Sequence, residues 1–124
     1  MITDAQRYII EHIISHTYVA NIPPFKLYMP WEPDDNMVEV SWDVDGAMLV
    51  AMVYSDGAVW WWYYPSQMQS SQEYHAAQES NQLKYFTIPE KAMATLWSMG
   101  NAYTGTTRRL SLEEHLESLD NRVA

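Results

Sequence analysis

The sequence predicts an α+β domain: a three-stranded antiparallel meander packed on one face by two or three short helices, with a fourth strand if residues 83–88 also pair. Three observations predict it. From Val38 to Val44 apolar and polar residues alternate, the signature of a half-buried strand. Asp45-Gly46 and Asp56-Gly57 bracket an apolar stretch, and Asp-Gly between such runs marks a hairpin. Two stretches of the capping-box form, beginning at Thr3 and Ser111, precede apolar residues at helical spacing. A chain of 124 residues, 48% apolar, is expected to be one domain able to bury a core without staples.

The elements follow in order. Thr3 through Gln6 opens a helix over residues 3–18, with Ile9, Ile10, Ile13 and Ile14 on one face. Residues 21–34 hold Pro23, Pro24, Pro30 and Pro33, which exclude a regular helix or a central strand. This segment is expected as an extended connector, packed down by Phe25, Leu27, Tyr28 and Trp31. The sheet spans 37–64, and Pro65 stops it. If both turns are two-residue loops, Val40 faces Ala51, Trp42 faces Leu49, Trp60 faces Val53 and Trp62 faces Ala51 on the core face. Trp61 and Tyr63 then join Glu39, Asp43, Met48, Val50, Met52 and Tyr54 on the other face. A bulge in the second turn slips the third strand by one residue and puts Trp60, Trp62 and Tyr64 there instead. Residues 65–82 are rich in Ser and Gln and read as a polar loop, or a weak helix around 72–79. Pro89 begins a helix over 89–99, with Ala92, Met93, Leu96 and Trp97 on one face and Gly100-Asn101 as its stop. Ser111 opens the last helix, 111–122, through Leu112, Leu116 and Leu119.

Charge is unevenly placed. No lysine or arginine occurs between Leu27 and Gln82, yet that segment carries Glu32, Asp34, Asp35, Glu39, Asp43, Asp45, Asp56, Glu73 and Glu79. Acids and bases cancel on either side, so the net charge of −9 resides in this one stretch. A local negative field points to a cationic partner. Seven bases against sixteen acids cannot neutralise phosphates, so direct nucleic-acid binding is not expected. The absence of cysteine excludes disulfide and thiolate chemistry and suits a cytoplasmic protein. No apolar run reaches the ~18 residues of a membrane span, and Met1 to Asp4 does not open like a signal peptide.

Catalytic patterns are thin. His12 and His16 stand one helical turn apart and are weak candidates for a metal pair, the basis of a minor reading as a metal-dependent hydrolase. Ile13 occupies the position where a His-Glu-x-x-His motif needs its base, and both histidines equally fit the polar boundary of the isoleucine stripe. Asp34-Asp35 and Asp43/Asp45 offer paired carboxylates, but adjacent acids in a connector and at a hairpin tip suit solvation and turn geometry better than acid–base catalysis. Asp43 to Gly46 has part of a calcium-loop pattern, but Tyr54 stands where the closing Glu belongs. Neither a nucleophile elbow nor a Gly-rich phosphate loop occurs, and Gly105 to Arg109 reads as a solvated basic stretch. The chain is therefore expected to be non-enzymatic and to need no cofactor.

The expectation that remains is binding. A Trp- and Tyr-rich strand face rimmed by carboxylates has the make-up of an interaction hot spot, although a helix on each side would turn the same stripe into core. The expected partner-binding residues are Glu39, Asp43, Met52, Tyr54, Trp61, Tyr63, Asp34 and Asp35. The expected partner is a larger basic or nucleic-acid-binding protein, inhibited by occupation of its channel or active site. In size, acidity and lack of cysteine the chain resembles in type phage anti-defence (anti-CRISPR-like) proteins and bacterial immunity proteins, with no motif particular to one family. The alternative is an accessory or structural subunit that closes a homodimer through the tryptophan-rich face.

Overall fold

A computed structural model describes residues 2–17, 22–29, 37–65, 72–78, 86–102 and 110–123. Along the chain run α1 (Asp4–Thr17), β1 (Lys26–Tyr28), β2 (Met37–Val44), β3 (Ala47–Tyr54), β4 (Val59–Tyr64), β5 (Gln72–Gln78), α2 (Glu90–Ala102) and α3 (Leu112–Val123). The five strands among the described residues pair antiparallel in sequence order, so the α+β meander stands with a strand added at each edge, three residues long at β1 and seven at β5. The edge strands differ from the expected positions. β1 lies in the Pro-rich connector, extended and at an edge, where proline is tolerated. Over residues 72–78 β5 stands in place of the expected polar loop or weak helix, because the open edge of β4 offers hydrogen bonds that override weak helix propensity. Residues 66–71 and 79–82 of that expectation lie outside the described residues. Phe86 to Pro89 are not strand, and the rest of the 83–88 candidate lies outside the described residues.

Both hairpins are set by their turns. Asp45 (φ 51) and Gly46 (φ 86) are both left-handed, the two-residue turn that matches strand twist, and Val44 pairs with Ala47. Val40 faces Ala51 and Trp42 faces Leu49, as the alternation requires. The second turn is longer. Gly57 N donates to Tyr54 O (2.9 Å), Tyr54 N donates to Ala58 O (2.8 Å), and Gly57 is left-handed at φ 94. Asp56 Oδ1 accepts from Ala58 N (3.0 Å). Ser55-Asp56-Gly57 is thus a three-residue loop closed by a glycine bulge. β4 is consequently in the slipped register: Trp61 faces Ala51, Trp62 faces Val50 and Trp60 faces Met52.

Every helix contributes to a single core on one side of the sheet. α1 buries Ile9, Ile10 and Ile13, α2 buries Ala92, Leu96 and Met99, and α3 buries Leu112. They meet Val38, Val40, Trp42, Leu49, Ala51, Val53, Val59 and Trp61, none more than 2% exposed. Trp42 and Trp61 lie nearly parallel, centroids 6.3 Å apart and planes 8° apart, with Ala51 giving room beside the larger ring. α2 departs from expectation at its end: it runs through a buried Gly100, and Trp97 turns outward, 48% exposed. With Ala92, Leu96 and Met99 at i, i+4 and i+7, the buried stripe falls one residue away from Trp97.

Both capping boxes form. Thr3 N donates to Gln6 Oε1 (2.9 Å) and Gln6 N to Thr3 Oγ1 (3.2 Å), with the same reciprocal pair between Ser111 and Glu114 at 3.2 Å each. Buried Gln6 also donates from Nε2 to Val53 O (3.0 Å), and Thr3 Oγ1 donates to Ser55 O (2.8 Å). The start of α1 is thereby fixed to the end of β3. Arg7 joins Glu11 of its own helix to Glu113 of α3.

Candidate partner-binding face

Among the described residues no helix covers the second face of the sheet. Its side chains follow from the pleat and fall into cross-strand rows. One row reads Tyr28, Glu39, Met52 and Trp60; the next reads Lys26, Ser41, Val50 and Trp62. Asp43, Met48 and Tyr64 form a third, and Met37 with Tyr54 a fourth. The centre is apolar: Val50 is 5% exposed and Trp62 is partly buried. Tyr28, Met48 and Trp60 stand out at 50%, 37% and 37% exposed. Large aromatics that keep over a third of their area in water form the kind of patch that a partner can desolvate.

The face has three polar features. Lys26 Nζ holds Asp43 Oδ2 at 2.8 Å, so the edge strand brings a cation to one of the two acids that β2 turns to this face. Half-buried Glu39 has no ion pair or hydrogen bond among the described residues, and burial raises its carboxyl above the ordinary value. Trp62 Nε1 is buried without an acceptor among the described residues.

The expected binding residues divide three ways. Glu39, Asp43, Met52 and Tyr54 lie on the open face as expected. Trp61 and Tyr63 do not: the longer turn puts Trp61, 1% exposed, in the core and packs Tyr63 against it. Asp34 and Asp35 lie outside the described residues. The open face also contains Tyr28, Lys26, Trp60, Trp62 and Tyr64, which the binding set omitted. The signal for the β4 residues was Ser55 before Asp56-Gly57, which admits a three-residue loop. For Tyr28 and Lys26 the signal was only the alternation of Phe25, Leu27 and their neighbours.

Elsewhere the chemistry is sparse. His12 and His16 stack at 4.0 Å, and His16 Nδ1 lies 2.9 Å from His12 O, so that nitrogen faces the helix backbone. His12 also meets Phe86 edge-on, and burial, then the charge of His16, pushes its pKa down. His115 packs on Phe25 at 4.2 Å and is likewise lowered by burial. Among the described residues no three His, Asp or Glu side chains gather as a metal site. Asp45 serves the first hairpin turn and Asp43 the pair with Lys26. A cleft of about 500 Å³ between α1 and α3 is lined by Ile14 and Leu112 together with Glu11, Ser15, Ser111 and Glu113. Residues 105–109 lie outside the described residues. No helix among the described residues is long and apolar enough to cross a membrane.

Compared with protein-family models, curated proteins and solved structures, the chain matches none.

Proposed function

We propose that this chain is a non-enzymatic binding protein whose open sheet face occupies a basic surface of a larger protein, such as a nucleic-acid channel or a toxin active site. The supporting observation is the composition of that face: Trp60, Trp62, Tyr64 and Met48 across β3 and β4, with Glu39 and Asp43 along β2 and Lys26 as its single lysine or arginine among the described residues. Aromatic anchors slow release, and the surrounding negative field speeds encounter. A phage anti-defence or immunity role, exercised in the cytoplasm, is one setting for such an inhibitor.

Homodimerisation through the same face fits less well. An isologous contact would bring the two copies of Glu39 into one desolvated patch, while the nearby lysine is already held by Asp43. The test is a Trp60→Ala, Tyr64→Ala double variant, beside Lys91→Ala on the exposed side of α2 as control. The double variant is expected to fold and to lose affinity for the captured basic partner by roughly thirtyfold or more. Unchanged affinity in the folded double variant would remove this reading.

A further inference from the structure

The row Tyr28–Glu39–Met52–Trp60 joins features not found together elsewhere among the described residues. A carboxylate sits half-buried between an exposed phenol on one side and a thioether and exposed indole on the other. Adjacent positions in such a row lie about 5 Å apart, so a planar cation over Glu39 touches Tyr28 directly and reaches toward Trp60 across Met52. We propose that Glu39, with Tyr28, Met52 and Trp60, is the receptor for one arginine side chain projecting from the partner. This rests on the reading of the face as partner-binding and specifies its chemistry.

Three observations select Glu39 and arginine. Asp43, the other carboxylate facing this way from β2, is already paired with Lys26 at 2.8 Å and is exposed, so a new cation gains little there. Glu39 has lost part of its hydration without an ionic or hydrogen-bonding partner among the described residues, and its raised carboxyl pKa is the same fact seen electrostatically. A guanidinium suits a partly dry site better than an ammonium: it is more weakly hydrated, pairs with a carboxylate through two N–H groups and stacks on aromatic faces.

The experiment titrates the isotope-labelled full chain with blocked Gly-Arg-Gly and Gly-Lys-Gly peptides, and separately with deca-arginine, following assigned backbone and indole resonances. The arginine tripeptide is expected to shift Tyr28, Glu39 and Trp60, and to bind about three- to tenfold more tightly than the lysine tripeptide. Glu39→Gln removes that preference; Asp43→Asn weakens both peptides without changing their ratio. A preference that survives Glu39→Gln, no preference in the native chain, or shifts centred on Asp43 would each overturn the arginine site. In those cases deca-arginine still separates the two ideas. If it perturbs Trp60, Trp62 and Tyr64, the face binds cationic protein by other contacts; if it perturbs none of them, both readings fall.

Discussion

Trp60, Trp61 and Trp62 are consecutive and chemically identical, yet the register gives them different work. Trp61 stacks over Trp42 inside the core, while Trp60 keeps 37% of its area in water. Trp61→Ala should cost about 3–5 kcal/mol in chemical denaturation, and Trp60→Ala roughly 1 kcal/mol or less. Equal losses would contradict the register. Glu39 makes a separate prediction through its titration. Burial raises its folded pKa above the ordinary 4.5, so its contribution to stability is present below that pH and is lost as pH rises through the folded pKa. Glu39→Gln should therefore raise the denaturation midpoint at pH 7, with the advantage vanishing under acid. If it instead lowers the midpoint at pH 7, Glu39 has a stabilising ionic role that the structure does not contain. A residue that costs stability yet sits on the open face is the trade expected of a binding group.

The elements show how far local chemistry carries. Both capping boxes, the first hairpin and the isoleucine stripe of α1 were legible in the sequence, because each is specified by residues within four positions of one another. The β3–β4 register was legible only as two alternatives: Asp56-Gly57 serves as a two-residue turn or as the end of a three-residue loop, and a single residue exchanges the faces. Gly57 at φ 94 decides it, so Gly57→Ala should destabilise by about 1 kcal/mol or more in a thermal melt. No change would mean that the bulge is not formed. β1 and β5 were illegible for another reason. Three residues closely following prolines, and a seven-residue stretch whose only aliphatic side chains are the adjacent Ala76 and Ala77, become strands only because β2 and β4 present free edges. Tyr28 thus reaches the open face through an edge strand that the sequence does not mark, whereas Trp61 and Tyr63 lie on the core side because of the three-residue turn.

Across the molecule, one layer of helices on one side of the sheet leaves the other side uncovered among the described residues, and β2, β3 and β4, which form the body of that side, all come from the negative segment of the chain. The covered side has its own pH signature. His12 on α1 and His115 on α3 both have folded pKa values below the ordinary 6.5, through burial first. The unfolded chain then takes up protons that the fold resists, so stability holds above about pH 6.5 and declines as pH falls through the lowered folded values. A His12→Gln, His115→Gln variant should flatten that decline between pH 7 and 5.5; an unchanged slope would assign the acid sensitivity elsewhere. On the open side, salt should weaken capture of a basic partner without touching the core. The decisive measurement is size-exclusion chromatography with light scattering at ~50 mM and ~500 mM salt, on the protein alone and after passage over host lysate. A monomer that gains a basic protein at low salt and releases it at high salt is the predicted result. A dimer of the same mass at both salt concentrations, retaining nothing from the lysate, would contradict it and assign Trp60 and its neighbours to self-association.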